Sequence, residues 1–299
     1  MVLRITEKRN PASMRIDRMD TEEILHLINR EDAKVAEAVR EEIPAITRAI
    51  EKIAARMKKG GRLFYVGAGT SGRLGVLDAV ECLPTFSVEP DRVVGILAGG
   101  KKAMFLAQED VEDSITSGVE AMIKHQVNEL DSVVGIAASG STPFVLGAII
   151  EAKKRGAVTV ALVCNHGSDL EEEVEIAITP IVGPEVITGS TRMKAGTAQK
   201  MILNMISTTV MIKLGKVYSN LMVDLKATNS KLRERAQVIF MTITGADEKM
   251  ATGYLEKTAY NVKEAIVMFR LGVNLEKARD LLAEKDGLLA EVIDPQDED

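Results

Sequence analysis

With 299 residues, 46% of them hydrophobic and 27% charged, the chain is long enough for one large domain plus a smaller one and has the composition of a soluble globular protein. A formal net charge of -6 excludes broad binding to nucleic acid or to anionic membranes, which both need a basic surface, and no run is long and apolar enough to span a membrane. Cys82 and Cys164 show no pairing or metal-ligand spacing, and the N-terminus carries no apolar signal segment, so a reducing cytoplasmic setting is the expectation.

Residues up to about Met19 read as irregular. Asp20 with Glu23 then makes a capping-box-like helix start, and ILHLINRED and AKVAEAVREEIPAITRAIEKIAARMKKG place apolar residues at steps of three and four. Pro44 interrupts this helical segment, and Gly60 and Gly61 close it. His26, His125 and His166 are scattered with no carboxylate or cysteine in register, which predicts surface or loop histidines and no metal site.

From Arg62 strands and helices alternate. RLFYV, Arg62 to Val66, is a buried strand leading into GAGTSGRLG, where Gly67, Gly69 and Gly72 permit a sharp turn and Thr70 and Ser71 offer hydroxyls before a helix expected near Arg73. The glycines only loosely imitate a dinucleotide fingerprint, because the second strand, in VVGILAGG, ends in glycines and not in an acidic residue; no Gly-Lys-Ser/Thr follows, so this is not a Walker loop either. SVVGIAA, Ser132 to Ala138, repeats the pattern: SGSTP supplies Ser139, Ser141 and Thr142, with Pro143 suited to a first helical turn. VTVALVC, Val158 to Cys164, and EIAITPI, Glu175 to Ile181, add two strands. Such alternation means a parallel sheet with helices on both faces, and both hydroxyl loops then fall at its carboxyl edge, where α/β proteins bind ligands.

ITGSTRMKAGTAQKMILNMIST, Ile187 to Thr208, opens a long amphipathic helix. Free backbone N–H groups and the helix dipole make its start a candidate anion site, with Ser190, Thr191 and Thr197 close to Arg192 and Lys194; an ordinary cap is the plainer reading. The methionines of this helix recur at helical spacing, as core residues do. After Gly215 the chain stays helical. A break at Thr244-Gly245 precedes three short helical patterns, DEKMATGYLEKTA, NVKEAIVMFRLG and NLEKARDLLAEKDGLLAEVI, and PQDED reads as a frayed tail.

GAGTSGR, AASGSTP and GSTRMKAGTAQK together resemble the sugar isomerase domain and, within it, the N-acetylmuramic acid 6-phosphate etherase family. LGVLDAVECLPTFSV, VVGILAGG, VEDS and ITPIVGPEVITGSTRMKAGTAQK follow in that family's order over nearly the whole chain. Two positions depart: Leu83 stands where proline is expected, and Ser141 where a larger residue such as arginine is usual. The resemblance implies an α/β fold, a three-layer sandwich with a parallel sheet, flanked by N-terminal helices and a small C-terminal helical module. It divides the chain into an N-terminal helical segment (1–52), a sugar isomerase domain (53–216), a helical connector (217–243) and a ubiquitin-associated-like three-helix module (244–299).

It further implies cleavage of the lactyl ether of N-acetylmuramic acid 6-phosphate to N-acetylglucosamine 6-phosphate and D-lactate, in cell-wall amino sugar recycling. By family motif the catalytic pair is Glu81 in DAVEC, as acid, and Glu112 in VEDS, as base, with burial beside Val80 and Leu83 expected to favour protonated Glu81. Thr70, Ser71, Ser139, Ser141 and Thr142 are substrate-binding candidates, most of them for the phosphate, and Ser190 and Thr191 for the sugar. No cofactor and no metal are implied, and a homodimer is expected from the N-terminal helices and the apolar Met205 to Leu214 face. An aldose-ketose isomerase or a noncatalytic sugar-phosphate sensor could use the same fold. A sugar-responsive transcription factor would need a basic helix-turn-helix module, and none is found through Lys58.

Overall fold

A computed structural model describes residues 4–106, 108, 110–225, 227 and 229–294. The chain forms two compact units, Met1–Val80 with Asp91–Ser207, and Glu81–Pro90 with Thr208–Asp299.

The first unit opens with three short 3₁₀ turns, Ile5–Glu7, Pro11–Ser13 and Ile16–Arg18, where an irregular segment was expected. Helix α1, Thr21–Glu41, starts at the expected capping box: the Glu23 N–H donates to Asp20 Oδ1 at 2.9 Å and the Asp20 N–H to Glu23 Oε2 at 3.0 Å. Pro44 forces a new start, because it lacks an N–H to continue α1, and α2 runs Ile43–Lys58. Strands β1 (Leu63–Gly67), β2 (Val93–Leu97), β3 (Ser132–Ile136), β4 (Val158–Leu162) and β5 (Ile176–Ile178) alternate with α3 (Gly69–Phe86), α4 (Gly100–Phe105), α5 (Ile115–Lys124), α6 (Pro143–Lys154) and α7 (Asp169–Glu173), and α8 (Lys194–Lys213) follows.

All pairings are parallel, in the order β2-β1-β3-β4-β5. Apolar runs such as Leu63–Gly67 and Val158–Leu162 are buried along their whole length, as strands covered on both faces must be. Phe64, Val66 and Val133 face α5 and α6 through Met122, Phe144, Val145, Ala148 and Ile149. Tyr65 and Ile136 point the other way, onto α3 at Gly75. Gly118 and Gly147 let α5 and α6 cross at backbone contact: a Cβ on either would fall 2.0 or 2.1 Å from a carbonyl oxygen of the other helix region, that of Phe144 or Ile115. The result is the three-layer α/β sandwich.

The second unit contains α9 (Ser230–Thr244), α10 (Glu248–Lys257), α11 (Val262–Leu271), α12 (Leu275–Glu284) and α13 (Leu289–Ile293). Asn229, Asp247, Asn261 and Asn274 each cap a helix by accepting a backbone N–H three residues on. Phe240, Leu255, Ile266 and Leu282 centre its core. The last of the three expected helical patterns divides into α12 and α13, because Asp286 (φ 51°) and Gly287 (φ 76°) take the left-handed conformation between them.

Candidate active site

β1 and β3 are neighbours whose ends lie level, Gly67 opposite Ile136, and their connections leave in opposite directions, toward β2 and toward β4. This is the switch point of an open parallel sheet, where diverging helices leave a crevice at the carboxyl edge. Both hydroxyl loops predicted from sequence emerge there. After β1 the chain enters α3 at Gly69, four residues before the expected start, because the Gly72 N–H already bonds the Ala68 carbonyl at 3.0 Å. Thr70 and Ser71 therefore belong to the first helical turn and not to a loop ahead of it. Gly67 and Gly72 allow this: a Cβ on Gly72 would sit 2.4 Å from the Gly67 oxygen.

Loop and α8 meet here. Ser71 Oγ donates to Gln199 Oε1 at 2.9 Å, and the Thr70 methyl lies 3.6 Å from where a Cβ on Gly196 would stand. Gln199 is fully buried, and its Nε2 has no partner among the described residues. One turn and more along α3, Asp78 accepts from Asn204 Nδ2 (2.7 Å) and Ser207 Oγ (3.1 Å), which fixes the register of α3 on α8. Burial pushes the Asp78 carboxyl up, against hydrogen bonds from Asn204, Ser207 and Tyr65. Gln199 and Asp78 escaped the sequence reading, although the AGTAQK motif contains the first.

In the loop after β3, Ser139 Oγ accepts the Ser141 N–H at 3.3 Å. Gly140 turns with φ 74° and packs so closely on Ser168 that a Cβ would lie 2.3 Å from its Oγ. Thr142 occupies the N-cap of α6 with Pro143 next, and its hydroxyl makes no capping bond. Ser141 Oγ receives the Arg4 guanidinium, a contact between residues 137 positions apart.

The start of α8 is capped from within the chain. The Lys194 and Ala195 N–H groups donate to Glu185 Oε2 and Oε1 at 3.0 and 2.9 Å, the Gly196 N–H goes to the Thr191 oxygen and the Thr197 N–H to the Met193 oxygen. Lys194, 1% exposed, gives its ammonium to Glu31 at 2.7 Å. The chain's own buried Glu185 thus takes the Lys194 and Ala195 N–H groups at this helix start, one of the two readings, anion site or ordinary cap, that the sequence left open. Burial raises the Glu185 carboxyl above its ordinary range, against the two backbone bonds and the Lys194 charge. Ser190 and Thr191 are half-buried just before this turn, Thr197 returns its hydroxyl to the Met193 carbonyl at 3.0 Å, and Arg192 is exposed.

Glu81 is exposed on α3, and Glu112 is exposed in a 3₁₀ turn, Asp110–Glu112. The burial expected around Glu81 is not supplied by its sequence neighbours, since Val80 is 62% and Leu83 39% exposed. His26 and His166 lie at the surface, whereas His125 packs edge-on against Phe64, and burial with nearby Lys124 and Arg62 lowers its pKa. A cleft of about 480 Å³ along the edge strand β2, lined by Gly95 to Leu97 with Lys101, Glu120 and His125, includes none of the candidate residues.

Residues 45–153 match the glucokinase regulatory protein N-terminal SIS domain, residues 111–209 the SIS domain, and residues 219–270 the C-terminal lid domain of glucokinase regulatory protein. The chain is 57% identical to N-acetylmuramic acid 6-phosphate etherase of Caldanaerobacter subterraneus subsp. tengcongensis, over 98% of this chain and 96% of that one. It is 53% identical to the protein of that name from Clostridium beijerinckii, over 96% and 95%. A solved structure of a candidate phosphosugar isomerase from Bacteroides fragilis shares the fold at 18% identity and a TM-score of 0.50, covering 66% of this chain and 94% of that one. Identity at this level over nearly the whole length, with the hydroxyl loops set at the switch point of the sheet, places the chain in the N-acetylmuramic acid 6-phosphate etherase family.

Proposed function

We propose that this chain is a lyase that cleaves the lactyl ether of N-acetylmuramic acid 6-phosphate, releasing D-lactate and N-acetylglucosamine 6-phosphate in cell-wall amino sugar recycling. The observation that carries the reading is 57% identity to an etherase across 98% of the chain. This identity favours the etherase over the isomerase and sensor alternatives.

The chemistry follows from the substrate. An ether resists direct hydrolysis, but in the open-chain sugar the aldehyde at carbon 1 acidifies the proton on carbon 2, and the ether oxygen on carbon 3 is then a β leaving group. A base removes the carbon 2 proton and the carbon–oxygen bond to lactate breaks. An acid protonates the departing oxygen, and water re-adds its hydroxyl to carbon 3 and a proton to carbon 2. Two carboxylates suffice for this, and we assign Glu112 as base and Glu81 as acid. A carboxyl that donates at neutral pH needs desolvation, and because Glu81 is exposed in the single chain, bound substrate or a second copy must provide it.

Ser71, Ser139, Ser141 and Thr142 form the phosphate cradle in this reading, with Thr70 beside it and Ser190 and Thr191 toward the sugar. Two hydroxyl-bearing turns at one sheet edge, one with an N-cap threonine that makes no capping bond, support it. Fixing the phosphate far from carbons 2 and 3 converts remote binding energy into alignment of the carboxylates. We place the protein in the cytoplasm, which suits its two buried, unbridged cysteines. Incubation with N-acetylmuramic acid 6-phosphate followed by a D-lactate assay tests the function; intact ether after prolonged incubation refutes it.

A further inference from the structure

The N-terminal segment is fastened across the carboxyl edge of the sheet by buried polar contacts. The Thr6 N–H donates to Asn165 Oδ1 at 3.3 Å, and Asn165 Nδ2 donates both to Thr6 Oγ1 at 3.1 Å and to the Ala138 carbonyl at 2.8 Å. Thr6 is 1% and Asn165 3% exposed, so this junction is sealed from water. Four residues on, Asn10 Nδ2 bonds Glu31 at 2.9 Å and the Pro184 carbonyl at 3.1 Å. Ala138 immediately precedes Ser139. The junction therefore ties the N-terminal segment to the very turn that carries the second hydroxyl loop, and it holds Arg4, two residues before Thr6, against Ser141.

Neutral hydroxyls are modest phosphate ligands, whereas a guanidinium offers a planar fork of donors matched to phosphate oxygens. Lys194, a cation proposed for the start of α8, is buried and committed to Glu31. Arg4 remains partly exposed, and its ion pair with Asp169 is loose, at 3.9 Å between side chains that are 40% and 65% exposed. Such a pair holds a guanidinium weakly and leaves it able to turn toward a dianion.

We propose that Arg4 is a phosphate-binding residue: the N-terminal segment delivers its guanidinium to the Ser139, Ser141 and Thr142 turn, where it grips the phosphate of the sugar phosphate and sets the preference for phosphorylated over unphosphorylated sugar. The inference rests on the phosphosugar reading of that turn, not on the elimination chemistry. Arg4 does not touch the reacting carbons, so its loss weakens binding more than it slows the bound complex.

The test measures binding and turnover separately. Calorimetric titration of the full chain with N-acetylglucosamine 6-phosphate needs no catalysis, so it judges Arg4 even if lactate release fails. Arg4→Gln is expected to weaken this ligand by about tenfold to a hundredfold, the loss of one charge-assisted contact, and Arg4→Lys to recover part of it. With turnover, KM for the phosphorylated substrate rises by a similar factor while kcat changes less. Asp169→Asn leaves phosphate affinity unchanged or improves it. The proposal is overturned if Arg4→Gln binds within twofold of the unaltered chain, if Arg4→Lys is as weak as Arg4→Gln, or if Asp169→Asn reproduces the loss, which would reduce Arg4 to a surface ion pair.

Discussion

The two glutamates separate by what each does to the carbon 2 hydrogen. Elimination and re-addition in heavy water must place deuterium at carbon 2 of the product, whereas direct displacement leaves that hydrogen untouched. Glu81→Gln is expected to slow lactate release by at least about a hundredfold, the contribution of a positioned acid, while the surviving base still exchanges carbon 2; Glu112→Gln suppresses both. Exchange in Glu112→Gln but not in Glu81→Gln would reverse the roles, and unlabelled product from the unaltered chain would end the elimination mechanism. Glu31 supplies a different residue-scale test. Burial works to raise its pKa, but hydrogen bonds from Lys194, Lys34 and Asn10 and the Lys194 charge outweigh it and bring the carboxyl from 4.5 to about 2. An acid whose folded pKa is depressed stabilises the fold above its unfolded value and loses that contribution as pH falls through the window from about 4.5 to about 2. Glu31→Gln, which leaves Lys194 buried beside a neutral partner, is expected to cost about 3 kcal/mol near neutral pH. Thermal midpoints of the two proteins should converge between pH 5 and pH 2.5 (roughly the window set by linkage); a constant gap across that range would show that Glu31 acts through packing alone.

At the scale of elements, the glycine crossing of α5 and α6 makes a sharp prediction. Gly147→Ala would drive a methyl to 2.1 Å from the Ile115 oxygen, and backbone on both sides must move, so a loss of about 2 kcal/mol or more is expected. Gly253→Ala in α10 meets nothing within 4 Å and should instead stabilise by about 0.5 to 1 kcal/mol through helix propensity. Chemical denaturation of both variants checks the contrast, and equal effects would refute it. This layer of structure was largely legible in the sequence. Strands such as RLFYV and VTVALVC announce themselves because burial on both faces demands unbroken apolar runs, and the α1 start because Asp20 and Glu23 have only one reciprocal use at that spacing. The turn holding Ser139 was legible for the same local reason, whereas the helix start that takes in Ser71 came four residues before the expected one. What escaped depends on partners distant in sequence. Glu185 reads as one more acidic residue until α8 closes over it, and Arg4 lies in a segment without periodicity whose position is set by Asn165. The exposure of Glu81 is likewise decided in space, not by its neighbours Val80 and Leu83.

For the whole molecule, a homodimer needs exposed apolar surface that one chain leaves uncovered. In the expected run from Met205 to Leu214, Ile206, Val210 and Met211 are wholly buried within the chain, whereas Ile212 is 46% exposed. A further set of exposed apolar groups gathers on α3, where Leu77 is 48%, Val80 62% and Leu83 39% exposed at steps of three that keep them on one side of the helix. Glu81, one turn on from Leu77, flanks this stripe. A second copy laid on it would cover the apolar groups and withdraw water from the carboxyl in one step, giving the desolvation that a neutral-pH acid requires. We therefore expect light scattering to give twice the 32.4 kDa of one chain, and Val80→Asp to shift the mass toward one chain by placing a charge in the contact. If cover from the partner is what equips Glu81 to act as the acid, lactate release per chain should fall in Val80→Asp and on dilution of the unaltered protein below its dissociation constant. A Val80→Asp monomer with full activity would assign the desolvation of Glu81 to the substrate alone, and a concentration-independent mass of one chain would remove the dimer.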